Sequence, residues 1–340
     1  MALFPAVGRK QPHVRISWWL LIAFLVLGIF LHLIPFYFML ITSFKTGSET
    51  LQTPPTLWPI HFDINAWKLA INVVNGEQLS SGGQQSANFF TYFGNSLLMT
   101  GLTLLFSTPV TALAAYANSK LQRGPVARWT FLFFIGTMLL PGAVMLVPTY
   151  LLIQHFPFPF SYVPELPSGD PYPSLQLNDT LWAVIVPSVF NAYGFLYFKA
   201  FFDTIPNSIL QAARVDGGSE LNIFRRIVFP MSIPVFAVVM SMQFSSIWDS
   251  FLWPSLVISS PQNLPISVAV YKLVNAFTST GATNAEQAAN TTTSAARLAQ
   301  QGLSWNGIMV LSILQSLPIF FIFLISFRYL LKGIRIRGLK

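Results

Sequence analysis

Six long apolar blocks dominate the sequence and decide the solvent in which the chain folds. An α-helix rises 1.5 Å per residue, so about 20 apolar residues cross the roughly 30 Å hydrocarbon core of a bilayer. Prolines within the blocks, Pro141 among them, predict kinks rather than helix ends, because neighbouring helices re-satisfy the freed carbonyls. The sequence therefore predicts an all-α membrane protein with six transmembrane helices. The blocks are residues 18–44, 95–118, 129–154, 180–202, 232–253 and 307–329.

The composition agrees with a lipid environment. Of the residues, 53% are hydrophobic and only 9% are charged, whereas soluble domains carry about 25% charged residues. The basic residues Arg9, Lys10 and Arg15 precede the first block and resemble the start of a secretory signal. The apolar part of such a signal is about 7–15 residues long. The block at 18–44 is longer, so we expect a retained first helix.

The distribution of Lys and Arg predicts the orientation, because cytoplasmic segments near membrane ends retain an excess of positive charge. With the N-terminus inside, 15 of the 19 basic residues fall in cytoplasmic segments. Both termini are therefore predicted to be cytoplasmic. The predicted regions are a cytoplasmic segment 1–17, a first helix 18–44, an external cap segment 45–94, a transmembrane core 95–329 with an external low-complexity insertion at about 276–303, and a cytoplasmic tail 330–340.

Several chemistries are absent from the sequence. The chain has no cysteine, which excludes disulfides, thiol catalysis and Cys-based metal sites. Its four histidines show no metal-ligand spacing, and no phosphate-binding loop, G-x-S-x-G or H-E-x-x-H motif is present. We therefore expect no catalytic, metal or cofactor site in this chain.

The segment between the fourth and fifth blocks, residues 207–230, predicts a helix, a break and a second helix. Asn207 or Ser208 can cap the first helix, and the run from Asp216 to Gly218 interrupts it because glycine permits a left-handed turn. Ser219 can cap the second helix. We expect that helix to end at a turn near Pro230. Its apolar positions at i, i+3 and i+7 spacing predict a face that docks in a groove of another protein. Those positions are Leu221, Phe224 and Val228.

Here the sequence resembles a known family. The inner-membrane permeases of binding-protein-dependent ABC importers carry a cytoplasmic signature of the form E-A-A, three residues, G, nine residues, I-x-L-P. This chain has Gln211-Ala212-Ala213, three residues, Gly217, nine residues, and Ile227-Val228-Phe229-Pro230. The spacing is kept at every landmark. Gln211 replaces the usual glutamate, which removes a charge that could pair with the ATPase, and Phe229 replaces the usual leucine.

The resemblance is closest to the maltose-type carbohydrate permeases and covers roughly residues 15–340. It rests on short motifs spread along the chain. They are Ser43-Phe44-Lys45, Asn95-Ser96-Leu97, Ala114-Ala115-Tyr116-Ala117, Pro141 with Pro148-Thr149-Tyr150, the run from Trp248 to Pro254, and the run from Arg328 to Gly333.

The resemblance implies a function and a set of partners. Such a permease lies in the bacterial inner membrane and forms half of the path for a sugar or oligosaccharide delivered by an external binding protein. It pairs with a second, related permease, and two ATPase subunits bind ATP and Mg and drive alternating access through the loop 207–230. The residues that the resemblance assigns to this coupling are Gln211, Ala212, Ala213, Asp216, Gly217, Ile227 and Pro230.

Three residues at the end of the fifth block are candidates for the substrate path. Asp249 is the acidic residue within a predicted span, and a buried carboxylate there must face a cavity or a partner. It can line the path or make a structural hydrogen bond. Trp248 and Phe251, with the nearby Trp253, can stack on sugars, although aromatic residues at membrane interfaces form belts of the same composition. We expect the belt.

A second class of function stays open at this point: a self-contained ion-coupled carrier or a channel. An ion-coupled carrier usually needs several ionisable groups within the membrane, and the sequence offers Asp249 alone. A carrier also leaves the spacing from Gln211 to Pro230 unexplained. Reconstitution separates the two classes, since uptake by this chain without an ATPase would indicate a carrier.

Overall fold

The computed structural model describes residues 12–73, 89–154, 156, 176–279 and 304–336, which are mostly helical. The helices are α1 (Pro12–Thr42), α2 (Asn65–Val73), α3 (Phe89–Tyr116), α4 (Gly124–Met138), α5 (Gly142–Gln154), α6 (Trp182–Ile185), α7 (Ala192–Phe202), α8 (Asn207–Val215), α9 (Glu220–Ile223), α10 (Phe229–Trp248), α11 (Leu252–Val257), α12 (Ile266–Ser279) and α13 (Trp305–Ile336).

The apolar blocks correspond to membrane-spanning helices. Within the described residues, five helical runs are long and apolar enough to cross a bilayer, and the bent pair of α4 and α5 makes a sixth if the pair is counted as one span. This agrees with the predicted all-α architecture. The five runs are Val14–Thr42, Phe89–Leu121, Trp182–Phe202, Glu220–Trp248 and Trp305–Tyr329.

The third block departs from the prediction of one kinked helix. α4 and α5 meet at an angle of 99° across the break at residues 139–141. Pro141 lacks an N–H and clashes with the carbonyl four residues earlier, so a proline here ends the hydrogen-bond ladder. Pro141 therefore marks a helix boundary, and the expectation that this proline only kinks the helix is wrong.

The described residues fall into two compact units, one within residues 1–82, 272–316 and 338–340 and the other within 83–271 and 317–337. In the second unit α3, α7 and α10 pack together around buried aromatic rings. A Cβ added at Gly194 would lie 3.0 Å from Val239 Cγ1 and 3.3 Å from Thr111 Cγ2. Small residues permit such close approach of helices in a membrane. The central rings are Phe195, Phe198, Phe202 and Phe236.

In the first unit the chain after α1 folds around two buried charged residues. Lys45 Nζ donates to the Thr56 carbonyl at 2.5 Å. A carboxylate oxygen of Glu49 accepts from Thr56 Oγ1 at 2.7 Å and from the Ile60 N–H at 3.0 Å. These bonds give the first part of the predicted cap segment a defined fold, whereas its residues 74–88 lie outside the described residues. Most of the predicted insertion, residues 280–303, also lies outside them.

Candidate coupling site

The predicted helix pair is present, with a different cap at its start. α8 begins at Asn207 behind the cap residue Pro206, which makes no side-chain cap bond. Asn207 instead accepts a hydrogen bond from Lys120 Nζ at 3.0 Å, and Lys120 also donates to the Ile205 carbonyl at 2.8 Å. The prediction that Asn207 or Ser208 caps the helix is therefore wrong. The start of α8 is held by the turn that ends α3.

The break between α8 and α9 requires two glycines for two different reasons. Gly217 has φ +82°, a left-handed conformation that favours glycine. Its N–H donates to the Arg214 carbonyl at 3.1 Å, and the Gly218 N–H donates to the Ala213 carbonyl at 2.9 Å, which is a Schellman motif. A Cβ at Gly218 would lie 2.8 Å from that Ala213 oxygen. The sequence indicated the break but not the steric demand at Gly218.

The second helix begins as predicted and ends differently. The Ser219 hydroxyl accepts from the Asn222 N–H at 3.4 Å, which confirms the predicted cap. α9 then continues through a π-helical turn, Phe224–Val228, into α10. The helical run Glu220–Trp248 is continuous, so the predicted turn at Pro230 is wrong. Pro230 has no N–H to donate to the α-helical hydrogen-bond ladder. The wider π-helical turn that precedes it accommodates this loss.

A carboxylate ties the two helices to α3. Glu220 accepts from Arg214 Nε at 2.6 Å and from Arg214 Nη2 at 3.3 Å, across the glycine break. The Tyr116 hydroxyl donates to the same carboxylate at 2.9 Å. The hydrogen bond to Glu220 raises the pKa of Arg214 above its ordinary value, so the guanidinium stays charged. We name these three residues the Glu220 clasp. Sequence reasoning missed it, because Tyr116 lies 104 residues before Glu220 in the chain.

The predicted docking face of the second helix is divided. Val228 is fully buried, and Phe224 packs on Tyr116 with ring centroids 5.3 Å apart. Leu221 alone of the three points outward and is 66% exposed. The apolar stripe of the second helix therefore packs mainly against other helices of this chain. An amphipathic helix buries its apolar face against its neighbours.

A different set of residues forms the outward face of the helix pair. Val215 at the end of α8 is 88% exposed, and Leu210 on the opposite side is buried in the core. We name the outward set the exposed coupling face. It comprises Ile209, Gln211, Ala212, Val215, Asp216 and Leu221.

The seven residues assigned to coupling are thus not all on one surface. Ala213 is half-buried, Gly217 is exposed in the break, and Ile227 packs partly against the core. Pro230 is exposed within the long helix. The remaining three, Gln211, Ala212 and Asp216, lie on the exposed coupling face.

The three substrate-path candidates differ in their surroundings. Trp248 is fully buried, with its ring 5.4 Å from Phe93 and 5.5 Å from Phe244. The expectation that Trp248 belongs to an interfacial belt is therefore wrong. Asp249 is the exposed cap that ends α10, not a residue well inside a span. Phe251 is 41% exposed and lies 4.7 Å from the Tyr271 ring. Among the described residues no group of three or more His, Cys, Asp or Glu side chains is placed to hold a metal.

Comparison with known proteins gives a consistent picture. Residues 107–336 match the profile of the family described as "Binding-protein-dependent transport system inner membrane component". The polygalacturonan/rhamnogalacturonan transport system permease protein YtcP of Bacillus subtilis is 26% identical, over 75% of this chain and 77% of that protein. The arabinooligosaccharides transport system permease protein AraQ of the same organism is 24% identical, over 98% and 99%.

A solved structure matches at the level of the fold. It is a bacterial ABC transporter involved in the import of the acidic polysaccharide alginate. The two chains superpose with a TM-score of 0.71 over 94% of this chain and 98% of the other, at 19% sequence identity. The matched family region includes the whole helix pair and the long helix that follows it.

Proposed function

The chain belongs to the family of binding-protein-dependent transport system inner membrane components, and on that premise we propose how this permease is coupled to its ATPases and what it carries. Membership confirms the family inferred from Gln211 to Pro230. It identifies a multi-span permease subunit of a bacterial ABC importer in the inner membrane. It also favours this class over a self-contained carrier or channel.

One observation supports the coupling role above all: α8 is held on one side and free on the other. Leu210 is 1% exposed and anchors the helix in the core, whereas Val215 is 88% exposed at its outer end. Ile209 and Leu221 are exposed as well, and a group of exposed apolar residues, unlike a single one, is typical of an interaction site. We infer that the exposed coupling face enters a groove of an ATPase subunit.

The path of the movement follows from the connection of α8 to the long helix. The Schellman turn joins α8 to α9, and the Glu220 clasp prevents the two from moving separately. α9 is continuous with α10, so a displacement of α8 is passed to a membrane-spanning helix as rigid-body motion. A separate short helix ending at Pro230 would lose part of that displacement at the second turn.

The partners follow from the same proposal. ATP and Mg are bound by two ATPase subunits, since the sequence has no phosphate-binding loop, and this chain is proposed to have no catalytic role. A second, related permease completes the path, and an external binding protein delivers the substrate. The distribution of basic residues supports a cytoplasmic position for the helix pair.

The proposed substrate is a sugar or an oligosaccharide. The relatives named above are named for the transport of polygalacturonan/rhamnogalacturonan and of arabinooligosaccharides, and the aromatic and hydroxyl-bearing residues near the end of α10 suit such ligands. We propose that Asp249 and Phe251, both exposed, line the path, while the buried Trp248 supports them from behind.

Substitution of Val215 tests the coupling proposal. In the assembled importer, Val215→Asp should abolish ATP hydrolysis stimulated by the loaded binding protein, because a carboxylate cannot enter an apolar groove without a partner. Co-purification with the ATPase should fall, while membrane insertion stays intact. Asn222→Asp is the matched control, since it adds the same charge at an exposed polar position of α9. Equal hydrolysis in both variants and the wild type would refute the assigned face.

A further inference from the structure

A cavity of about 270 Å³ lies where α5 begins after the break at Pro141. Its volume is near the lower end of known ligand pockets, about 300–1,000 Å³, which suits one sugar ring rather than a chain. All of its walls belong to the second compact unit. The lining residues from α5 are Gly142, Met145, Leu146 and Thr149, and the others are Val184, Pro187, Ser188, Ser246, Ile247, Ser250 and Trp253.

The backbone explains why these residues meet. The four α5 residues recur at i, i+3, i+4 and i+7, so they share one face of that helix. Another part of the wall comes from the last turn of α10, the connection after it and the start of α11, which supply Ser246, Ser250 and Trp253 in turn. The sharp bend after α4 sets the direction of α5. A single helix over 129–154 with only a kink at Pro141, as the sequence predicted, would orient that face differently.

The hydroxyl groups of the cavity are available for a ligand. Three hydroxyls elsewhere in the spans, those of Thr103, Ser232 and Ser312, donate to the carbonyl four residues earlier, whereas the buried Thr100 and Thr108 hydroxyls have no partner. In the part of the chain that the structure describes, four cavity side chains make no hydrogen bond of this or any other kind. They are Thr149, Ser188, Ser246 and Ser250. Their donors and acceptors are therefore open to a ligand that enters the cavity.

The remaining walls are apolar and carry no charge. Met145, Val184 and Ile247 contribute aliphatic surface. Trp253 donates its indole N–H to the Ala183 carbonyl at 3.1 Å, so its ring is fixed while it lines the cavity. No Lys, Arg, Asp or Glu is among the lining residues. An anion placed here would lose its water without gaining a cationic partner.

We propose that this cavity is a subsite for one neutral sugar ring, bound by the four hydroxyls beside the fixed indole, and that it excludes uronates and sugar phosphates. The proposal rests on the proposed function, in which this chain forms part of a sugar path. It adds to Trp253, which the sequence offered as a stacking residue, four hydroxyl-bearing residues that the sequence did not assign to the path. It also adds a charge rule, since a cavity with hydroxyls and no cation favours uncharged polyols.

The absence of cysteine makes a labelling experiment direct. Single variants Ser246→Cys and Ser250→Cys are placed in the assembled importer, and Ser259→Cys, exposed outside the cavity, is the control. A neutral, water-soluble methanethiosulfonate reports access to each thiol. The probes are methyl glucoside, methyl galactoside and methyl arabinoside, compared with galacturonate and glycerol 3-phosphate. We expect the neutral glycosides to slow labelling in the cavity several-fold, the anions to leave it unchanged, and the control to respond to neither.

Each other outcome overturns the proposal. Thiols that the aqueous reagent does not reach would mean that lipid or another helix fills the cavity. Protection by none of the glycosides would mean that no sugar ring binds, and equal protection by galacturonate would refute the charge rule. In the double variant Ser246→Cys/Ser250→Lys, galacturonate should slow the labelling of the thiol, because the lysine supplies the cation that the wild-type cavity lacks.

Failure of the proposed function is measured separately. In that case the wild-type importer would show no ATP-dependent uptake, or would not co-purify with its ATPases, whatever the labelling result. A complex that transports normally but shows no protection would refute the subsite alone.

Discussion

Gly217 and Gly218 are adjacent in the break between α8 and α9, and each meets a separate constraint. Gly217 occupies the left-handed region with open space around its Cα, whereas a Cβ at Gly218 would collide with the Ala213 carbonyl oxygen. The first constraint concerns backbone conformation and the second concerns space. Substitutions of the two residues therefore cost free energy for different reasons.

Alanine substitutions should separate these costs. Gly217→Ala should lower the free energy of unfolding by about 1–2 kcal/mol, the cost of a left-handed residue with a side chain. Gly218→Ala should cost about 1–3 kcal/mol, as overpacking does, and should also weaken coupling because the break must widen. Thermal unfolding and stimulated ATP hydrolysis measure the two effects.

Gly101 offers a control for both substitutions, since nothing lies within 4 Å of a Cβ built there. Gly101→Ala should leave coupling unchanged and should not lower the free energy of unfolding, because alanine is favoured over glycine in a helix interior by about 1 kcal/mol. Full coupling in Gly218→Ala would contradict the steric role of that position.

The Glu220 clasp should matter more for coupling than for stability. The Arg214 and Glu220 side chains are 31% and 42% exposed, and exposed ion pairs contribute only about 0.2–1 kcal/mol. Glu220→Gln should therefore barely shift the unfolding midpoint, while stimulated ATP hydrolysis falls several-fold because α8 moves independently of α9.

A second exposed ion pair nearby serves as the control for the clasp. Lys199 and Asp203, 2.9 Å apart, lie just before α8. Asp203→Asn removes that pair and should leave coupling intact. Parallel losses of coupling in the two variants would indicate a general effect of charge.

At the scale of elements, Asp179 joins two connections outside the spans. Its carboxylate accepts from the Ser259 N–H at 2.8 Å, the Ser260 N–H at 2.7 Å and the Ser260 hydroxyl, while its carbonyl accepts from Asn263 Nδ2 at 2.6 Å. Burial alone would raise the pKa of Asp179, but these hydrogen bonds to the carboxylate outweigh it and hold the pKa below its usual value. The entry to α6 is thus fixed to the segment after α11.

This arrangement predicts an acid-sensitive contribution to stability. A lowered pKa in the folded state stabilises the fold above the unfolded-state value, about 3.9 for Asp. That stabilisation is lost as the pH falls from there through the lower folded-state pKa. Asp179→Asn keeps a residue that tolerates φ +60° and removes the charge. The unfolding midpoint of the wild type should fall more than that of the variant between neutral pH and pH of about 3, and equal slopes would refute the role.

At the scale of the whole molecule, the predicted orientation connects the coupling face with the cytoplasm. With 15 of 19 basic residues on the inner side, both termini and the helix pair should be cytoplasmic. Ser208→Cys, on α8, should react with an impermeant thiol reagent only after the membrane is opened. Ser259→Cys should react in intact cells once the layers outside this membrane are permeable to the reagent. The reverse pattern would refute the predicted orientation of the helices and, with it, the coupling role.

The sequence alone was sufficient for the membrane class, the family and the position of the helix break, and its six apolar blocks correspond to five spans and one bent pair of helices. These rest on local quantities: block length, residue spacing and the conformational freedom of Gly217. It was insufficient where residues far apart in the chain decide the outcome. The pattern of Leu221, Phe224 and Val228 revealed an apolar stripe but not which side the chain itself buries.

The tertiary structure decided the rest because contact between distant segments has no local signal. Tyr116 meets Glu220 from another helix, and the ring of Trp248 packs against Phe93, also from another helix. The sequence predicted a kink at Pro141, where the structure has a helix boundary. A proline in a membrane helix is compatible with both until its neighbours are known. Periodicity specifies which side chains share a face, and only packing determines what that face meets.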